Sequence, residues 1–130
     1  MTRTDRNKVC RIHYSRSHRL LEITFLDQTF QLSAEFLRVH SPSAEVQGHG
    51  PGQQRLQDGK LRVCIEEIKP VGRYAIQLSF DDGHDSGLFS WSYLRNLCEN
   101  QSTLWQAYLE QLSNARLSRD PEVQTIHFES

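Results

Sequence analysis

One stretch, Pro70 to Arg95, constrains this chain more than any other. Tyr74, Ile76, Leu78 and Phe80 alternate with Ala75, Gln77 and Ser79, the period-two pattern of a strand with one face turned to a core. Asp82-Gly83 follows as a tight-turn pair, and Leu88-Phe89-Ser90-Trp91 resumes an apolar run that leads into a helix. The order is therefore strand, turn, short strand, helix, and a chain with this centre must mix sheet and helix.

The flanking segments extend the same reading. Val9–His13 and Arg19–Phe25 are expected strands with a turn over Ser15–His18, and Thr29–Leu32 is a short third strand after Asp27-Gln28, giving an antiparallel meander. Ser33 stands where a helix N-cap belongs, with Glu35 in the first turn, and that helix must end near His40 because Ser41 precedes Pro42. Lys60–Lys69 alternates again, with Leu61, Val63 and Ile65 on one face, and should pair with the central strand as a hairpin. Trp91, Leu94, Leu97 and Cys98 recur at helical spacing, as do Leu104, Trp105, Tyr108, Leu109 and Leu112. The expected break between those helices lies at Glu99–Thr103, with Asn100 or Ser102 as the second N-cap. The apolar stripe of the last helix is expected to pack across the sheet, with a dimer or partner face as the alternative. The fold class is α+β: antiparallel strands in one or two small sheets, a short helix after strand three and two C-terminal helices. Residues 1–8 are expected to be a disordered arm, 9–114 a single domain, and 115–130 a mostly disordered tail.

Composition closes off several classes of function. With 130 residues, 37% of them hydrophobic, one core can form without metal or disulfide support. A formal charge of -1 supplies no general attraction to nucleic acid or anionic membrane, so neither is expected as a partner. No apolar run reaches transmembrane length and the first residues do not resemble a signal segment, so a cytoplasmic location is expected. Cys10, Cys64 and Cys98 are odd in number and widely spaced, which is the pattern of free thiols and not of a disulfide framework or a cluster site.

Two polar segments carry the candidate chemistry. Ser41–Gly59 is a long, irregular stretch, and within it Gly48, Gly50 and Gly52 surround His49 and Pro51. It lacks the Gly-Lys-Ser/Thr ending of a phosphate-binding loop. Asp81, Asp82, His84 and Asp85 crowd the turn after the central strand. Ser86, His84 and Asp85 are the residue types of a nucleophile, base and orienter, but neighbours in sequence do not make that chain, and no catalytic residue is assigned.

The motifs Pro70-Val-Gly-Arg-Tyr-Ala-Ile76, Phe80-Asp-Asp-Gly-His-Asp-Ser-Gly-Leu-Phe-Ser-Trp91 and Leu94-Arg95 resemble the family related to the N-terminal domain of gamma-butyrobetaine hydroxylase, a family of unknown function. Leu37-Arg38 with Ser41–Gly52 resembles the version found in small stand-alone bacterial proteins. The resemblance implies an α+β domain. It also implies an accessory role, since the domain precedes an iron- and 2-oxoglutarate-dependent barrel in the hydroxylases and is joined elsewhere to P-loop carriers of iron–sulfur clusters. Zinc-binding members place Cys-x-Cys-x-x-Cys after the first helix and take a fourth ligand from the histidine of Asp-Gly-His. Here those positions correspond to Ser41, Ser43, Val46 and His84, so the resemblance implies a degenerate metal site in which hydrogen bonds replace the ion. The expected function is a non-enzymatic accessory or protein-interaction module, without a cofactor, tied to iron–sulfur cluster assembly or a metabolic enzyme complex. Its expected partner-binding residues are Asp81, Asp82, His84, Asp85, Gly48, His49, Gly50 and Gly52, and it is a monomer or homodimer. The alternative is a zinc or iron site joining His84 to His40 or His49, with Asp82, Asp85 or Glu45 as further ligands; a small enzyme is the third reading.

Overall fold

The computed structural model describes residues 7–48, 50 and 52–122. Its elements are β1 (Val9–Ser15), β2 (Leu20–Phe25), β3 (Thr29–Ser33), α1 (Ala34–Val39), α2 (Ala44–Gln47), β4 (Ile65–Val71), β5 (Ala75–Phe80), β6 (Gly87–Ser90), α3 (Trp91–Glu99) and α4 (Gln101–Ala115). The strands form two antiparallel meanders, ordered β1-β2-β3 and β4-β5-β6. This is the expected α+β class, with two small sheets and helices after each.

The alternation in the sequence becomes burial. Leu21, Ile23 and Phe25 of β2 and Ile76, Leu78 and Phe80 of β5 turn inward from the central strands of the two sheets. They meet Phe36 and Leu37 of α1, Phe89 of β6, and Leu94 and Leu97 of α3 in one core. Each such fully buried side chain contributes about 1.5–3 kcal/mol by leaving water. The two sheets are also joined by a polar bond, in which Ile65 N–H donates to the Tyr14 hydroxyl at 2.9 Å. Ser33 caps α1 as expected, accepting from Phe36 N–H at 2.9 Å.

The structure departs from the expectations at five places. Tyr74 does not share the buried face of β5: the ladder ends at Val71 opposite Ala75, so Tyr74 falls in the hairpin turn with its ring exposed. The strand expected from Lys60 begins at Ile65, because the Gly59 and Leu61 N–H groups donate to the Ser118 and Arg119 carbonyls instead of to a neighbouring strand. The irregular stretch after Ser41 contains the single turn α2, followed by a loop from residue 52 to residue 64. The break between the last two helices is Asn100 alone; its side chain does not cap α4 but donates to the Asn96 carbonyl. The stripe on α4 divides: Leu104 and Trp105 pack against the main core, whereas Tyr108 and Leu112 bury with Val39 of α1, flanked by Leu56 and Leu117.

Residues 117–122, inside the segment expected to be a loose tail, make specific bonds. Arg119 grips the buried Glu35 carboxylate through two bonds of 2.8 and 2.7 Å and lies over the Trp105 ring. Residues 1–6 of the expected arm and 123–130 of the expected tail lie outside the described residues. Among the described residues no helix is long and apolar enough to cross a membrane.

Candidate functional site

His84 is the point at which the two polar segments meet. Proline at position 42 ends α1, the chain reverses through Ser41, and Ser43 takes the N-cap position of α2. From the other side, the turn between β5 and β6 is closed by Phe80 N–H donating to the His84 carbonyl at 2.9 Å and His84 N–H donating to Asp82 Oδ1 at 3.1 Å. These bonds aim the imidazole inward, leaving its side chain 2% exposed. Ser41 Oγ lies 2.8 Å from Nε2, Ser43 Oγ 3.4 Å from Nε2, and Glu45 Oε2 3.1 Å from Nδ1.

Burial, reinforced by the nearby Arg38 cation, lowers the His84 pKa below its ordinary value and outweighs the opposing pull of Glu45. The ring is therefore neutral at pH 7. A carboxylate can only accept, so Nδ1 carries the proton and donates to Glu45, while Nε2 accepts from the Ser41 hydroxyl. This use of Ser43 also explains why its side chain makes no capping bond to α2. Gly87 makes the packing feasible: a Cβ there would sit 2.6 Å from Ser41 Oγ and 3.0 Å from the Phe89 ring. Gly48 closes the far end of α2 at φ 75°, where a Cβ would lie 2.1 Å from the Gln53 carbonyl oxygen.

The expected degenerate positions thus come together at Ser41, Ser43 and His84, with Val46 buried on the same single-turn helix. Both serines lie within bonding distance of the imidazole, and Ser41 Oγ also accepts from Ser43 N–H at 3.4 Å. The residues do not fit zinc. A tetrahedral ion with bonds of about 2.0–2.3 Å holds its ligand atoms about 3.6 Å apart, whereas Ser41 Oγ and Nε2 are in direct hydrogen-bond contact at 2.8 Å. Val46 offers no donor atom, and the described residues contain no group of three or more His, Cys, Asp or Glu side chains placed to hold a metal ion.

Ser41, His84 and Glu45 also stand in the order hydroxyl, imidazole, carboxylate, the arrangement by which a nucleophile is activated. Ser41 is 0% exposed, however, and even a Cβ on Gly87 would overfill the space beside its oxygen, so no carbonyl substrate can approach that hydroxyl in this conformation.

Asp82 proves to be structural. Its Oδ2 accepts from Arg38 Nε at 2.8 Å and from Lys60 Nζ at 2.6 Å. Burial alone would raise its carboxyl, but the bonds from Lys60, the His84 N–H and Arg38 outweigh that and hold it at about 2. Asp81 Oδ1 accepts from Cys64 N–H at 3.0 Å beside the irregular pairing of Ile65 and Glu67. Of the four residues of the Asp81–Asp85 turn expected to face a partner, His84 is buried and Asp81 and Asp82 are engaged within the fold. Asp85 alone presents a side chain with no bond to another described residue, its carbonyl accepting from Gln77.

Other candidates fall elsewhere. His40 does not join His84: its Nδ1–H donates to the Phe36 carbonyl at 2.8 Å and its ring lies against Phe36 and Tyr108. It lines a cleft of about 590 Å3 with Val46, Gly52, Arg55 and Tyr108, to which Ser41, Ser43 and His84 do not contribute. His49 lies outside the described residues. Cys10 in β1 is exposed, Cys64 just before β4 is half-buried and Cys98 in α3 is buried, each a free thiol. Glu45, expected only as a further metal ligand, serves instead as the acceptor for His84 Nδ1–H; Arg38 and Gly87 stood in the family motifs without an assigned role, and Lys60 had no signal that marked it for this site.

The comparisons agree with this architecture. Two proteins with NMR solution structures are 46% and 45% identical to this chain, with TM-scores of 0.78 and 0.77. The first alignment covers 94% of this chain and 97% of that one, and the second covers 100% and 98%. A protein of unknown function from Acidithiobacillus ferrooxidans, known from a crystal structure, is 37% identical over 72% of this chain and 94% of its own, with a TM-score of 0.61. No curated protein sequence matches. The family described as gamma-butyrobetaine hydroxylase-like, N-terminal, matches residues 12–95, which run from the first strand to the buried Arg95 and include the whole His84 cluster. The chain therefore belongs to the gamma-butyrobetaine hydroxylase-like N-terminal domain family.

Proposed function

We propose that this chain is a non-enzymatic accessory module whose polar loops are locked for docking on a protein partner. The observation that carries the reading is the engagement of both nitrogens of the buried His84 ring. The residues with chemical potential are consumed in holding the Ser41–Gly48 segment against the Asp81–Gly87 turn. Among the described residues of the two polar segments, the Asp85 carboxylate and Gly52 face outward. A small surface fixed by internal bonds loses little freedom on docking, which favours binding. The architectures that this domain resembles make iron–sulfur cluster assembly or a metabolic enzyme complex the setting of the partner, by analogy of architecture.

The hydroxyl–imidazole–carboxylate order favours a second reading, a hydrolase whose Ser41 becomes accessible on opening of α2. One set of experiments separates the two. Under the module reading a partner is captured at stoichiometric level, lost in Asp85→Arg at unchanged melting temperature, and Ser41 does not react with a fluorophosphonate. Covalent labelling of Ser41 that disappears in His84→Gln contradicts the module reading and establishes the hydrolase.

A further inference from the structure

Among the described residues, three of the four exposed large hydrophobic residues, Val71, Tyr74 and Leu88, belong to the β4-β5-β6 sheet or its hairpin. The register explains why two of them share a face. Val71 stands opposite Ala75 and Ala75 opposite Ser90, while one step along Lys69, Gln77 and Leu88 form the next row. Side chains in these rows point away from the core, which takes Ile68, Ile76, Leu78 and Phe89 from the alternate rows. Tyr74 extends the patch beyond the strand end, and its ring is 75% exposed.

Beside Tyr74 lies a cleft of about 420 Å3, lined by Asn7, Lys8, Arg73, Tyr74, Ser90, Trp91 and Ser92. Two of its lining residues, Tyr74 and Trp91, are aromatic, and the others are polar or charged. Its only charged residues are Lys8 and Arg73, and neither forms an ion pair among the described residues. The hairpin holding them is fixed at two points, since Trp91 N–H donates to the Tyr74 carbonyl and Trp91 Nε1–H to the Arg73 carbonyl, both at 2.7 Å. Tyrosine, tryptophan and arginine are the residues that carry most binding energy at protein interfaces, and here the hairpin backbone and the Trp91 indole are fixed before any partner arrives.

We propose that this cleft and the adjoining Val71 and Leu88 dock an acidic, apolar segment of a partner protein, with an aliphatic or aromatic side chain between Tyr74 and Trp91 and its flanking carboxylates on Lys8 and Arg73. The inference rests on the reading of the chain as an interaction module and adds a second face to it, opposite in charge to the Asp85 turn.

The test uses the full chain and two synthetic peptides, one with a Leu-Phe pair flanked by Asp and Glu, the other with Lys at every acidic position. Amide and indole N–H shifts are followed by NMR. The acidic peptide should move the signals of Arg73, Tyr74, Leu88 and the Trp91 indole, bind more weakly as salt is raised, and lose about tenfold in affinity in both Tyr74→Ala and Arg73→Glu. Equal binding of the two peptides, or shifts confined to other residues, overturns the proposal. So does a single-stranded oligothymidine that displaces the acidic peptide, or a Tyr74-dependent dimer of the free chain. Binding of neither peptide, with Asp85-dependent capture intact, overturns this face and leaves the module reading in place.

Discussion

Ser41→Ala removes the hydroxyl that donates to His84 Nε2 at 2.8 Å, from a residue that is 0% exposed. Water cannot replace the lost donor at that depth without opening α2, and the remaining contact, Ser43 Oγ at 3.4 Å, is long for a hydrogen bond. A buried acceptor left unpaired costs about 1–3 kcal/mol. Rotation of the Ser43 hydroxyl recovers part of this, so the expected loss is about 2 kcal/mol. For a chain of this length that is a fall in melting temperature of about 6–10 °C. The assay is urea unfolding followed by far-UV circular dichroism, with the m-value as a check that the unfolded state is unchanged. In a His84→Gln background the same substitution should cost much less, giving a coupling energy of about 1 kcal/mol or more. A loss below about 0.5 kcal/mol in the wild-type background, or the same loss in both backgrounds, would refute the latch.

The remaining expectations follow from the same cluster. Asp82→Ala should cost about 2 kcal/mol, because it strips the partner from Arg38, which is largely buried, whereas Asp85→Ala should stay within about 0.5 kcal/mol; urea midpoints decide, and equal effects would contradict the assignment of Asp82 to the fold. Stability should depend on pH in two windows. Unfolded histidine takes up a proton near 6.5, while folded His84 and His40 resist it, so stability is complete above that pH and falls as pH drops below it. Asp82, held at about 2 against 3.8, adds a second loss as pH falls from about 4 to about 2. A urea midpoint that stays level between pH 7.5 and pH 5 would contradict the first window. Finally, replacing Ser41, Ser43 and Val46 together by cysteine should convert the latch into a zinc site with His84, read as stoichiometric zinc that is lost on adding His84→Ala. Failure of a folded triple variant to take up zinc would mean that these four positions do not share a tetrahedral geometry.

Much of the fold was legible because it rests on local rules. Period-two burial marked β2 and β5, Ser33 marked the start of α1, and Pro42 marked its end. The failures have two causes, one long-range and one local. The N–H groups of Gly59 and Leu61 find partners in the segment after α4, some sixty residues away, and that long-range competition displaced the start of β4. Tyr74 continued an alternation that the hairpin turn had already ended. At the site, the convergence of Ser41, Ser43 and His84 was readable from the family motif. The roles of Asp82 and Arg38 were not, since an acidic residue in a turn has the same appearance whether it faces water or a buried guanidinium. Glu35 with Arg119 and Asp27 with Arg95 are pairs of the same kind.

The central claim is that His84 is a neutral, doubly hydrogen-bonded latch, and the 15N NMR spectrum of its imidazole ring at pH 7 tests it most directly, with metal analysis of the same untagged sample. The account requires a protonated Nδ1, an unprotonated Nε2 and no change on adding a chelator. An imidazolium spectrum, or stoichiometric zinc or iron whose removal alters the Nε2 signal, would contradict it.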